Sequence, residues 1–368
     1  MLRQTARKNT GVACHWIRGT DHSELLWTVG DSRRFNAQGA VPTNTTKRNV
    51  LRASDENDWH TREDIYLLTA LSALLHDLGK ASSAFQDLLR HSSVGRNQYR
   101  HEWVSLRLFE AFVGSDDDAT WLTRLAALES RDDTFWLDRS RLRRDGLDDN
   151  CQPPLGSLKH APLAQAIGWL LLSHHRMPVR PWGPDGARPT FTVAGLNGIL
   201  SHIESNWNEP PTSDAPEIIK PYWDSPHGLP VTCSQWQKQA TRIARRLLAL
   251  CARPDRLPPF SWLENPYVMH LSRLCLMLAD HHYSSLTDKK KRVSVPTGYP
   301  SYANTEGAGR RSLCQTLDEH LLGVARHSGE AAHALPRFAE HLPRLGKHRK
   351  FRERTQNQRF HWQDKATT

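Results

Sequence analysis

The stretch Arg62-Glu-Asp-Ile65-Tyr-Leu-Leu68-Thr-Ala-Leu71-Ser-Ala-Leu-Leu75-His76-Asp77-Leu-Gly79-Lys80 decides the fold class. Its apolar residues Ile65, Leu67, Leu68, Leu71, Leu74 and Leu75 recur at three- and four-residue spacing, the period of one buried helix face. The pattern predicts a helix from about Thr61 to His76-Asp77, stopped near Gly79, because glycine readily ends a helix. Adjacent imidazole and carboxylate at a rigid helix end suit a transition-metal site, since His binds one ion and Asp can bridge two. The alternative at this stage is a helix end with a solvated His and Asp.

Outward from this stretch the helical rhythm continues. Ala84, Phe85, Leu88 and Leu89 share one face of a second helix. A third helix begins near His101, and Trp121 to Leu128 keeps the same period. Further helices are predicted over Pro162–His175, ended by Met177-Pro178, and over Ser234–Cys251, Pro266–Leu286 and Leu313–Val324. Ahead of them, Val12–Ile17 and Leu25–Val29 read as strands across a polar turn. The fold class is therefore mainly α, a helical bundle with a short β-containing N-terminal segment. Residues 129–160, dense in Asp and Arg, read as a charged loop or insertion. Residues 178–230, rich in proline, read as irregular connections with short helices. Residues 288–312 form a basic loop, and the chain from Pro336 on is basic and hydrophilic.

Composition narrows the class of protein. The 368 residues are 38% hydrophobic and 24% charged, as in soluble globular chains. No run of about 18 apolar residues occurs, which excludes an evident helical membrane span. The basic N-terminus has no apolar stretch after it and does not read as a secretory signal. The six cysteines lie far apart with no C-x-x-C pair, which argues against a zinc ribbon or a disulfide framework and for a reducing cytoplasm. A formal charge of +10 favours a polyanionic partner, nucleic acid above all, although solubility alone accounts for it equally well. The 13 tryptophans could stack bases.

Further candidate residues stand at the ends of other helices. His101 opens one, where a capping or surface histidine is the commoner reading. His174-His175 closes an apolar helix, and burying two imidazoles requires partners. Asp280 comes late in another apolar helix, where a buried carboxylate is costly unless paired or metal-bound. Its alternative is a solvated edge position. Together these residues could converge in a helical bundle, as ligands of dinuclear sites do.

The order of these motifs resembles the HD superfamily. More closely, it resembles the HD nuclease domain of the type I CRISPR-associated helicase-nucleases, subtype I-F. The resemblance rests on His76-Asp77-Leu-Gly79-Lys80-Ala, Phe85-Gln86, Arg100-His101-Glu102, Ser173-His174-His175 and Ala279-Asp280 with Ser284, and covers most of residues 1–330. It implies an N-terminal lead over residues 1–55, a nuclease domain over 56–330, and a basic linker over 331–368 towards a helicase; neither that helicase nor an N-terminal adaptation-protein domain is expected within this chain.

The resemblance also implies roles. Asp77 bridges two metals, His76 and Asp280 hold one, and His101, His174 and His175 hold the other. Lys80 joins His76 and Asp77 as catalytic, near the scissile phosphate. The implied reaction is metal-dependent hydrolysis of single-stranded DNA. The implied partners are single-stranded DNA, the helicase domain, an RNA-guided targeting complex and adaptation proteins, with no membrane. Many members carry a further His ligand upstream of the pair. The corresponding stretch Thr45–Leu51 has none, and His60, His15 and His22 are the nearest histidines.

Two ions supply a hydroxide and charge neutralisation for such hydrolysis. Imidazole-rich ligation favours Mn, Fe, Co or Ni, with Mg possible. Competing readings are an HD-type nucleotide phosphohydrolase and a catalytically weak docking module. The basic runs Lys289–Arg292 and Arg337–Arg354 are candidates for DNA contact, or else a solvated face and a linker.

Overall fold

A computed structural model describes residues 9–18, 23–37, 61–91, 98–128, 133–149, 151–177 and most of 200–337, and the statements below concern those residues. Strands β1 (Thr10–Arg18) and β2 (Ser23–Asp31) pair antiparallel as a hairpin, in the place the alternating residues predicted. The rest is helical: α1 (Arg62–Leu75), α2 (Ser83–His91), α3 (His101–Val113), α4 (Asp118–Ala126), α5 (Pro162–Ser173), α6 (Pro216–Trp223), α7 (Ser234–Cys251) and α8 (Pro266–Ser284). A two-residue pairing of β3 (Thr305–Glu306) with β4 (Ser312–Leu313) leads into α9 (Leu317–Ala334). The last helix starts later and runs further than Leu313–Val324, because Ser312 and Leu313 are taken by the β3–β4 pairing.

Helix α1 is the axis of the bundle. Ile65, Leu67, Leu68, Leu71, Leu74 and Leu75 are fully buried, as are Thr69 and Ser72 between them. Burial on all sides follows from its neighbours: α5, α7, α8 and α9 all pack against it. Each buried leucine of this set contributes roughly 1.5–3 kcal/mol. Polar groups tie the axis down. Thr69 Oγ1 donates to the carbonyl of Ser272 on α8 at 2.8 Å, and the Trp236 indole of α7 donates to the carbonyl of Leu74 at 2.9 Å. The buried Asp64 carboxylate takes both arms of Arg256, at 3.0 and 2.9 Å, and the Trp262 indole at 2.8 Å.

Helix ends are fixed by side chains in the expected chemistry. The Asp117 carboxylate accepts from Thr120 N–H at the start of α4, at 2.8 Å. Asp118 reaches from α4 to the start of α5 and accepts from the N–H groups of Leu163 and Ala164, at 2.8 and 3.1 Å. Pro162 at the first turn of α5 costs no hydrogen bond there.

The described part of 129–160 is largely loop, as its charge suggested, but it also contributes to the core. Trp136, Leu142, Leu155 and Leu158 are buried in the core, and the Trp136 ring stacks on Phe112 with centroids 4.2 Å apart. Asp145 holds both arms of buried Arg107, at 2.7 and 2.8 Å. Charge density in the sequence did not reveal which charges pair inside. The eight tryptophans whose side chains are described, offered with the rest for base stacking, are core residues at most 5% exposed. Their size explains this, since large aromatic surfaces dominate core burial. No helix among the described residues is long and apolar enough to cross a membrane.

Candidate metal centre

The ends of α1, α5 and α8 and the starts of α3 and α9 converge on one place. His76 and Asp77 directly follow α1 and are both fully buried. The chain then makes one 3₁₀ turn, Leu78–Ala81. Gly79 sits in this turn rather than at the helix end. A Cβ there would lie 2.2 Å from the His101 carbonyl oxygen, so glycine is required by close approach. The Gly79 N–H donates to Ser105 Oγ at 2.8 Å, and Ser105 Oγ donates to the His101 carbonyl at 2.8 Å. The turn thus docks on the first turn of α3 and brings His101 beside Asp77.

The distances define two groups sharing Asp77. In the first, Asp77, His101, His174 and His175 present ligand atoms all within 4.8 Å of one another; in the second, His76, Asp77, Asp280 and His320 do the same. His101 Nε2 is 3.2 Å and His174 Nε2 3.9 Å from Asp77 Oδ1. On the other side, His76 Nε2 and His320 Nε2 each lie 3.2 Å from Asp77 Oδ2. Asp280 Oδ1 is 3.8 Å from His76 Nε2 and 3.4 Å from His320 Nε2. Ser284, one turn on, donates to Asp280 Oδ1 at 3.3 Å. His175 Nδ1 lies 3.9 Å from Asp280 Oδ2, at the border of the two groups.

The ring orientations favour metal ligation. His76 Nδ1 lies 2.8 Å from the Ala73 carbonyl and His174 Nδ1 2.6 Å from the Leu171 carbonyl. A carbonyl only accepts, so each Nδ1 carries a proton and each Nε2 is the ring nitrogen turned into the cluster. His76 Nε2, His101 Nε2, His174 Nε2, His320 Nε2 and Asp77 Oδ1 are buried without a hydrogen-bond partner. Orphaned buried polar atoms are costly. Five of them aimed at one place, four imidazole nitrogens and a carboxylate oxygen, fit divalent ions held by nitrogen and oxygen donors. The groups differ in access: the second is buried throughout, whereas His101 is half-buried and His175 exposed at the rim of the first.

Every residue predicted for the site is brought to it: His76, Asp77, His101, His174, His175 and Asp280. Lys80 is there too, its ammonium 2.7 Å from Asp77 Oδ2 and 5.5 Å from the Phe85 ring. Gln86, on the next helix, accepts and donates at Tyr302, holding the loop ahead of β3 against this region. His320 was missed. It lies inside a predicted helix, in Asp318-Glu319-His320-Leu-Leu, and the missing ligand was sought upstream of the pair. A histidine fully buried on an amphipathic helix was the available signal. Thr45–Leu51, His60 and His22 lie outside the described residues, as does the side chain of His15.

The other basic candidates fare differently. Lys289, Lys290 and Lys291 are exposed, but Arg292 leaves that run: its guanidinium turns inward to the Leu286 carbonyl at 3.0 Å. Beyond Arg337 the second run lies outside the described residues.

Burial sets the protonation pattern of the protein alone. It opposes charge on His76, yet the Asp77 and Asp280 carboxylates beside the ring lift its pKa to about 10. Burial also opposes charge on Asp77, but His76, Lys80 and His101 hold it well below the usual carboxylate range. Burial pushes His174 well below 6.5, and pushes His175 down to about 4 with help from His101. Both of these imidazoles are neutral at pH 7 and available as ligands.

A pH dependence follows. A histidine whose folded pKa is depressed binds more protons unfolded, so its contribution is complete above the unfolded value of 6.5 and is lost as pH falls towards 4. His76 runs the opposite way, and its contribution is already complete below pH 6.5. Thermal unfolding in chelator should therefore show a lower midpoint at pH 5 than at pH 7. A flat or rising midpoint over that interval would contradict this assignment.

Comparison with known proteins identifies relatives. A family model described as "Cas3, HD domain" matches residues 38–287, and one described as "CRISPR-associated nuclease/helicase Cas3, I-F/YPEST, Cas2 domain" matches residues 1–32, the region of the β1–β2 hairpin. A CRISPR-associated nuclease/helicase Cas3 subtype I-F/YPEST from Pseudomonas aeruginosa (strain UCBPP-PA14) is 50% identical over 371 residues, covering 100% of this chain and 33% of that protein. One of the same name from Pectobacterium atrosepticum is 42% identical over 373 residues with the same coverage. The chain thus spans about a third of the length of the curated relatives it matches.

Proposed function

Because this chain belongs to the Cas3 HD-domain family, we propose that it is the nuclease portion of a CRISPR-associated nuclease/helicase, a metal-dependent phosphodiesterase that hydrolyses single-stranded DNA. The observation that carries the proposal is the shared Asp77: one buried carboxylate faces two groups of donors, and the buried Nε2 atoms of His76, His101, His174 and His320 turn towards it without a hydrogen-bond partner. Asp77 would be shared between two ions, with His76, Asp280 and His320 as the further donors to one and His101, His174 and His175 to the other. Ions bound there would supply Lewis acidity and a nucleophile at neutral pH.

The chain's own residues do the rest. Burial keeps His174 and His175 neutral, so they need lose no proton to ligate. The more accessible group, at His101 and His175, is the side from which a phosphate enters. Lys80, at the edge of the cluster, adds a cation for the phosphate once Asp77 is engaged by metal. The predominance of imidazole over carboxylate favours Mn, Fe, Co or Ni over Mg.

In this reading residues 56–330 form the nuclease domain, 1–55 lead into it, and 331–368 link it to a helicase like that named in its relatives. The partners are single-stranded DNA, that helicase, an RNA-guided targeting complex and adaptation proteins, in the cytoplasm.

The test is a cleavage assay on circular single-stranded DNA with Mn or Ni, run beside a panel of deoxynucleotides. Nicking and degradation of the circle, abolished by chelator, is expected. Turnover of nucleotides with an intact circle would replace this reading with a nucleotide phosphohydrolase. No turnover and no bound metal would leave a docking module.

A further inference from the structure

The segment carrying His320 lies beyond residue 287, where the HD-domain match ends, yet it enters the buried half of the cluster. What fixes its ring differs from His76 and His174, which lean on carbonyls of their own helices. His320 Nδ1 lies 2.9 Å from Oε1 of Gln315, a fully buried side chain just ahead of α9.

Two backbone groups fix which way the Gln315 amide faces. Its Nε2 lies 2.8 Å from the Tyr283 carbonyl, which can only accept, so the nitrogen end must face α8. Separately, the Gln315 backbone N–H donates to Asn304 Oδ1 at 3.1 Å, which leaves Asn304 Nδ2 to donate to Gln315 Oε1 at 3.1 Å. Both routes make Oε1 the acceptor. The atom facing it, His320 Nδ1, must then carry the proton. His320 Nε2 is then the ring atom turned into the cluster, 3.2 Å from Asp77 Oδ2 and 3.4 Å from Asp280 Oδ1. A divalent ion held between these three atoms would take Nε2 as its nitrogen donor.

We propose that Gln315 is a positioning residue of the metal centre, fixing the His320 tautomer so that Nε2 is presented to the ion shared by His76, Asp77 and Asp280. This rests on the two-ion reading above. The segment from Tyr302 to His320 is then part of the catalytic unit, clamped to it by Gln86 at Tyr302 and by Gln315 at Tyr283.

The test uses the full chain stripped of metal and titrated with Co2+, followed by calorimetry and visible absorption. The unaltered chain is expected to bind two ions. Gln315→Met keeps the side-chain length and removes the acceptor. It should weaken one Co2+ by about 10–100-fold, alter the absorption of that ion, and leave the other unchanged. Since Gln315 acts through His320, the double variant Gln315→Met/His320→Ala should bind as His320→Ala does alone.

Losses that multiply in the double variant, or unchanged affinities in Gln315→Met, would overturn the positioning role while the two-ion reading stands. An unaltered chain that binds no Co2+ would overturn both. Should Gln315→Met fail to fold, ring nitrogen-15 shifts of the unaltered, Zn2+-loaded chain decide the matter. A protonated Nδ1 with coordinated Nε2 at His320 is expected, and coordination through Nδ1 would overturn the proposal.

Discussion

Asp77→Asn is expected to lower DNA cleavage by at least about a thousandfold, equivalent to roughly 4 kcal/mol of transition-state stabilisation. The replacement keeps the shape of a side chain with no exposed surface and removes only its charge. Asp77 is the single carboxylate common to both ligand groups, so both lose their shared anion together. Bound metal, measured on the purified variant, should fall below two ions per chain. The fold should survive. His76 can release the proton that Asp77 and Asp280 hold on it, and Lys80 is 11% exposed and can turn to water. Strong metal-dependent cleavage by a well-folded Asp77→Asn chain would sink the dinuclear reading.

Asp145→Ala carries the largest expected cost in stability, about 3–5 kcal/mol in denaturant unfolding. Its carboxylate binds Arg107 through two nitrogens at 2.7 and 2.8 Å and the Trp103 indole at 2.7 Å, all in the interior. Arg107 also donates to Glu110 Oε2 and to the Gln152 carbonyl, both at 2.8 Å, so it cannot swing out to solvent without breaking a network. Removing Asp145 leaves a buried guanidinium with one carboxylate where it had two. The damage falls on α3, whose first residue is His101, so the metal centre should loosen only as the helix does. Pairing Asp145→Ala with Arg107→Met should recover part of the loss, because the uncompensated charge goes with its partner. A cost below about 1 kcal/mol would show that water reaches Arg107 and that the site is not interior in solution.

The one-dimensional pattern was a good guide wherever a residue's role is set by its own helix. The period of Ile65 to Leu75 located α1, and His76 and Asp77 were legible as metal candidates because a helix end holds adjacent side chains rigidly. His101, His174, His175 and Asp280 stand at or near helix termini, but the resemblance of the motif order, not their spacing, joined them into one candidate site. Where interior pairing decides, the pattern misled. The Asp- and Arg-rich stretch at 129–160 read only as a charged loop or insertion because composition counts charges and does not match them, whereas the fold buries Asp145 on Arg107. Gly79 looked like a helix stop, but its need for glycine comes from the carbonyl of His101, on another helix.

By itself, then, the sequence determined the helical class, the N-terminal hairpin and six of the seven residues that the structure gathers around Asp77 and can offer to metal, Asp77 among them. Only the tertiary structure decided that His320 joins them, that Asp77 stands between two groups, and that Gln315 governs one ring. The reason is physical. Periodicity reports which face of a helix is buried, not what that face meets. His320 meets Asp77 because α9 packs along α1, a contact between residues more than two hundred positions apart that no local spacing encodes.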